Sequence, residues 1–155
     1  MKNILIKLIS CFLMLAPIAL SYADELNSSE SSNALKKVLN DYIELYRKDS
    51  LNQWAALFHP SVIVTFPDKD GTVAVRNLQE FLTRQQNFFA NSKSISERLE
   101  NVQIFEGRRM ARVVADFIFV NEGAESKGKL GLQLVESKDG WKIVAVIFSY
   151  DHPSS

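Results

Sequence analysis

Between Tyr42 and Pro67 the chain reads YIELYRKDSLNQWAALFHPSVIVTFP, and three kinds of local structure succeed one another inside that stretch. Its first residues close an amphipathic helix. From Ala34 to Arg47, Leu35, Val38, Leu39, Tyr42, Leu45 and Tyr46 recur at helical spacing, with Lys36, Lys37, Asn40, Asp41, Glu44 and Arg47 on the other side. Lys48-Asp49-Ser50 breaks that helix, and Asp49 or Ser50 supplies a cap for a second one, Leu51 to Phe58, ending near Pro60. Val62 to Phe66 is β-branched and aromatic. The turn residues Pro67 to Gly71 then lead to a short strand, Thr72 to Val75, which predicts a hairpin.

Downstream, Asn77 precedes a third helix whose Leu78, Phe81, Leu82, Phe88 and Phe89 form a heavy aromatic face. The remainder reads as an antiparallel meander: Ile95 to Phe105, Arg109 to Val120, Lys127 to Glu136 and Trp141 to Tyr150. Ile95 and Leu99 share one parity while Val102 and Ile104 have the other, so a bulge or bend is expected between them. The next strand turns Ala111, Val113, Ala115, Phe117 and Phe119 toward the core, and leaves Asp116 with Arg112 on the opposite face. Asp116 is expected there as a cross-strand or interface partner. The last strand is apolar on both sides, with Ile143, Ala145 and Ile147 against Val144, Val146 and Phe148. One helical layer covers one face, so a homodimer through the outer sheet face is expected.

Upstream, Lys2 and Lys7 precede an apolar run, Leu8 to Leu20, and Ser21-Tyr22-Ala23 leads into Asp24-Glu25. At about 13 residues the run is shorter than the ~20 of a membrane-spanning helix, and its small-residue exit marks a signal peptide. Residues 1–23 are therefore expected to be a leader cleaved after Ala23, residues 24–33 a flexible lead-in, and residues 34–151 the folded domain. This gives an exported protein, periplasmic or secreted, with no membrane attachment after cleavage. Cys11 loosely imitates a lipoprotein box, but most of the apolar run follows it.

Cys11 is the only cysteine, so the processed chain relies on its core rather than on disulfides. The 18 basic residues balance 18 acidic ones, and loss of Lys2 and Lys7 tips the balance slightly acidic. No basic stripe is available to neutralise phosphates, which argues against nucleic acid. His59 and His152 are far apart, with no His-x-x-x-His motif, so neither a zinc site nor another metal site is expected. No Gly-rich phosphate loop or Gly-x-Ser-x-Gly elbow occurs, and no cofactor is expected.

The order of three helices, a hairpin and a long meander resembles the nuclear transport factor two-like superfamily, which includes ketosteroid isomerases and SnoaL-like polyketide cyclases. Its tokens are Tyr42, Trp54-Ala55-Ala56-Leu57-Phe58-His59-Pro60, Phe66-Pro67, Asp70-Gly71 and Gly140-Trp141-Lys142-Ile143-Val144. The resemblance implies an α+β, cone-shaped fold of three N-terminal helices packed on a curved, mainly antiparallel sheet of about six strands. Such a fold hosts enzymes, binders and assembly modules alike.

Ketosteroid isomerases move a proton with a carboxylate and hold the enolate with a tyrosine and a protonated acid, a worked case in general accounts of pKa tuning. Tyr42 matches the tyrosine. Phe66 stands where the resemblance puts the proton-moving aspartate, and Leu132, Gln133 and Leu134 stand around the second acid. A general base contributes roughly 10²- to 10⁴-fold, which a phenylalanine cannot supply. Asp68 and Asp70 fall in a turn motif that favours a solvated role.

The expected function is thus a binder of a small hydrophobic ligand or a dimeric assembly module without a complete isomerase-type acid/base pair. Tyr42, Tyr46, Phe66, Phe81, Phe117 and Phe119 are the candidate ligand-binding residues. The rival reading is a SnoaL-like lyase, cyclase or isomerase using Tyr42 and His59. It requires a carboxylate or histidine inside the cavity beside Tyr42.

Overall fold

In the computed structural model, which describes residues 32–68 and 70–151, the first helix, α1, occupies 32–44. It takes in Ser32 and Asn33, which the sequence had assigned to the lead-in. The leader and its cleavage position, most of the lead-in, and His152 lie outside the described residues. Leu35, Leu39 and Tyr42 are buried along one side of α1, as their spacing requires. A 3₁₀ turn, Lys48–Ser50, leads to α2, Leu51–Ala55. The Ser50 hydroxyl donates back to the Leu45 carbonyl oxygen at 2.9 Å, and neither Asp49 nor Ser50 caps α2 with its side chain.

Helix α2 stops before the residue expected to end it. Phe58 instead opens strand β1, Phe58–Pro67, where it pairs with Ile143, and the Ile143 N–H donates to the Leu57 carbonyl at 3.0 Å. Ladder pairing outweighs the helical preference of a five-residue segment that is too short to hold itself together. Strand β2, Val73–Arg76, folds antiparallel onto β1. Helix α3, Leu78–Asn91, begins with a full capping box: the Asn77 side chain accepts from the Glu80 N–H at 2.9 Å, and the Glu80 carboxylate accepts from the Asn77 N–H at 3.1 Å.

The meander comprises β3, Ile95–Glu106, β4, Met110–Asn121, β5, Ala124–Ser137, and β6, Gly140–Tyr150. Among the described residues one six-stranded sheet results, in the order β2-β1-β6-β5-β4-β3, with only the β1–β6 pair parallel. The β3–β4 register shifts between Glu100 and Gln103, beside Asn101 at φ 51°, which reconciles the two parities of β3.

A second shift alters the reading of β6. Gln133 pairs with Ala145 but Leu134 with Ile143, so Val144 is an extra residue and the inward parity changes there. Trp141 and Ile143 point to the core before the bulge and Val146 after it, each at most 4 % exposed. Most of what looked like a second apolar face is one inner face seen across a bulge. Ile147, 53–55 % exposed together with Ile63 of β1, remains on the outer side.

The core lies between helices and sheet around Trp54, 1 % exposed. Its ring meets Tyr42, Tyr46, Phe58 and Phe81 at centroid distances of 5.5, 5.0, 4.6 and 5.8 Å. Trp54 Nε1 donates to the Tyr42 carbonyl at 2.9 Å, tying α2 to α1. Among the described residues no helix is long and apolar enough to cross a membrane.

Candidate functional site

Two connected spaces open between the helices and the inner sheet face. The deeper chamber, about 60 Å³, is walled by Tyr42 from α1, Tyr46 from the link that follows it, Trp54 from α2, Phe81 and Gln85 from α3, and Glu97, Phe117, Phe119, Leu130, Val146, Phe148 and Tyr150 from the sheet. A vestibule of about 570 Å³ shares Tyr46, Phe81, Gln85, Phe119, Phe148 and Tyr150 with it and continues past Phe66, Arg76, Arg84 and Phe88. The vestibule has the volume of an ordinary small-molecule site, and the chamber has room for one functional group.

Glu97 is the acid of the chamber. On β3 it lies between Ile95 and Leu99 on the inward parity and pairs with Phe119 of β4. The residue as a whole is half-buried, but its carboxyl group loses hydration among the aromatic rings, and this pushes its pKa up to about 7 from the usual 4.5. Among the described residues no donor hydrogen-bonds to that carboxylate.

The Glu97 charge reaches three tyrosines. Burial raises the pKa of Tyr42, Tyr46 and Tyr150, and the negative charge of Glu97 raises each further, so all three stay neutral hydroxyls at physiological pH. The Tyr46 hydroxyl donates to Gln85 Oε1 at 2.5 Å. Among the described residues the Tyr42 and Tyr150 hydroxyls make no hydrogen bond, and they remain available as donors. Gly128 of β5 makes room for the floor: a Cβ there would fall 2.5 Å from the Phe117 ring and 2.1 Å from the Ser149 carbonyl oxygen.

Of the residues singled out from sequence, Tyr42, Tyr46, Phe81, Phe117 and Phe119 line the chamber, and Phe66 lines the vestibule. Phe66 stacks on Phe148 at 4.9 Å and carries the Arg76 guanidinium 4.3 Å above its ring. Leu132 and Leu134 are buried core residues at 0 and 1 % exposure, so neither isomerase carboxylate position holds an acid.

His59 does not belong to the site. It is exposed on β1 rather than at the end of a helix, its Nδ1 accepts from the Ser61 N–H at 3.1 Å, and it lines neither space. Asp116 accepts from Lys129 Nζ at 2.5 Å and from Asn101 Nδ2 at 2.8 Å, which lowers its pKa and makes it a cross-strand partner. Asp70 accepts from the hydroxyl and N–H of Thr72, which lower its pKa, in an exposed turn. Among the described residues no cluster of His, Cys, Asp or Glu is arranged to hold a metal ion.

Glu97, Gln85 and Tyr150 escaped sequence reasoning. A signal for Glu97 existed, since a charged residue between Ile95 and Leu99 occupies the apolar parity of its strand. Gln85 likewise sits one helical turn after Phe81, on the aromatic face of α3.

No curated protein matches the chain in sequence. Among solved structures, a protein with the nuclear transport factor two-like, cystatin-like fold from Novosphingobium aromaticivorans superposes with a TM-score of 0.68 at 10 % identity, covering 86 % of this chain and 90 % of that one. A candidate scytalone dehydratase from the same organism gives 0.67 at 15 % identity, with 81 % and 87 % covered. A protein of unknown function and the same fold type from Shewanella baltica gives 0.61 at 17 % identity, with 81 % and 97 % covered. At these identities the likeness is one of fold. The SnoaL-like domain matches residues 35–152, nearly all of the folded part, and the chain, which has the nuclear transport factor two-like fold, belongs to that family.

Proposed function

We propose that this protein binds a small apolar carbonyl compound between helices and sheet and moves a proton on it with Glu97. The observation that carries the reading is a carboxyl group with a pKa near 7 facing the same chamber as three neutral tyrosine hydroxyls. A base poised at the working pH is available in both protonation states, the condition for efficient proton transfer.

In the proposed cycle the Glu97 carboxylate takes a proton from the carbon next to the carbonyl. The electron pair of that C–H bond moves into the enolate, whose oxygen accepts hydrogen bonds from Tyr42 or Tyr150. Protonated Glu97 then returns the proton, to another carbon in an isomerisation or to a departing hydroxyl in a dehydration. Tyr46, already bonded to Gln85, serves as a fixed wall. The geometry favours this over binding alone because a purely apolar binder has no use for a charged group placed among rings.

The test is solvent-deuterium exchange into a panel of apolar ketones, followed by proton NMR. Wild-type protein should exchange at least about 100-fold faster than Glu97→Gln, with a rate that rises through about pH 7. Equal rates in the two proteins would remove the catalytic reading and leave a binder.

Two further elements belong to the proposal. Ile63, Ile147, Val114 and Phe105, 53, 55, 39 and 50 % exposed on the outer sheet face, support a homodimer formed there, which native mass spectrometry of wild type against Ile147→Lys would test. The leader supports export. N-terminal sequencing of the protein recovered from its own compartment should begin at Asp24, and a first residue of Met1 would refute cleavage.

A further inference from the structure

The vestibule differs from the chamber in charge. Arg76, from β2, and Arg84, from α3, both line its space. The Arg76 guanidinium carbon lies over the Phe66 ring at 4.3 Å, and a guanidinium brings five N–H donors to an oxyanion. Among the described residues neither arginine forms an ion pair or hydrogen bond.

Burial first, and the Arg84 charge second, lower the Arg76 pKa, so the two cations lie close enough to repel each other. Two carboxylates act on Arg76 from nearby, Asp68 and Glu80. Glu80 is committed to the α3 capping box through the Asn77 N–H, and among the described residues Asp68 is the one acid that lines the vestibule with the two guanidinium groups. Like charges held at the mouth of a mainly aromatic space are stabilised by an anion between them.

We propose that the ligand is a small amphipathic anion, its carboxylate or other oxyanion group held by Arg76 and Arg84 and its apolar body lying against Phe66, Phe119 and Phe148 toward the chamber. This rests on the reading of the two spaces as one ligand site, and it fixes the orientation: the anionic end stays outside and the reactive end reaches Glu97. The arrangement also keeps the ligand's negative charge away from Glu97, whose ionisation it would oppose.

A matched pair of fluorescent probes separates the contributions: anilinonaphthalene sulfonate and its neutral parent, N-phenylnaphthylamine, share an aromatic body and differ in the anion. With the full chain at low salt, the sulfonate should bind at least about tenfold more tightly than the neutral probe, as expected for a charge-assisted hydrogen bond. Arg76→Met and Arg84→Met should each weaken the sulfonate several-fold and leave the neutral probe unchanged, whereas Glu97→Gln should retain the preference. Should Arg76→Met fail to fold, Arg84→Met, altered on an exposed part of α3, decides alone. Equal binding of the two probes to wild type, or an equal loss of both in Arg84→Met, overturns the anion site while the cavity reading survives. Binding of neither probe overturns both.

Discussion

Strands β1 and β3 both deliver side chains to the same cone, yet β1 brings a phenylalanine and β3 brings the acid. β1 lies between β2 and β6, and its Val62 and Val64 are 1 and 0 % exposed. Strand β3 is the edge of the sheet, and its inward Ile95, Glu97 and Leu99 are only half-buried. Complete burial of an unpaired carboxylate would force it to remain protonated. On β3 desolvation of the Glu97 carboxyl lifts its pKa to about 7, where both forms are accessible. The fold thus keeps its interior strand for packing and places its titratable group on an edge strand.

That contrast can be broken most forcefully on its packing side. Trp54→Ala removes the ring that joins both early helices to Phe58 of β1 and should cost about 4 kcal/mol in urea unfolding. A loss below about 1 kcal/mol would mean that the β1 side is not the rigid platform described.

On the β3 side the sign reverses. Below pH 4.5 Glu97 is protonated in folded and unfolded chains alike; between there and about 7 the unfolded chain gives up its proton first. Wild-type stability therefore falls as pH rises through that window and stays lower above it. Glu97→Gln should match wild type near pH 4 and exceed it by up to about 3 kcal/mol at pH 8, the size of the shift expressed as free energy. Thermal melts across that range check this, and parallel pH profiles would refute it.

Phe66→Ala sharpens the comparison at the position where the resemblance puts a carboxylate. It should lose about 2 kcal/mol through the stack on Phe148 and the contact with Arg76, and leave the Glu97 pH dependence in place. Smallest of all, Lys129→Met on the outer face should leave the melting temperature essentially unchanged, because exposed ion pairs contribute little. Its signature is an Asp116 pKa that rises toward the ordinary value in an NMR titration.

Much of the scaffold was legible in the residues. Asn77 and the aromatic face after it announced the third helix, the apolar runs marked the meander, and Ile95 to Ile104 disclosed a bulge by changing parity. The end of the second helix was not, because Phe58 follows a helical segment locally and joins a strand only when Ile143, 85 residues later, offers its N–H. The outer face was overstated for a related reason: Val144 shifts the β6 register, and alternating apolar residues do not reveal where an extra residue stands. At the site, Tyr42 and the aromatic walls were visible as side chains, while Glu97 lies at neither isomerase position and stands out only by its parity on β3.

The sequence by itself determined the first and third helices, the hairpin and the meander, since these follow from periodicity, capping chemistry and short-range spacing. Only the tertiary structure decided which acid enters the cone, that His59 stays outside it, and that Arg76 and Arg84 share one opening. Those facts depend on curvature and register, which bring together residues from β2, α3, β3 and β6. Whether a carboxylate becomes a solvated surface group or a base near neutrality is settled by the surroundings that the folded chain places around it.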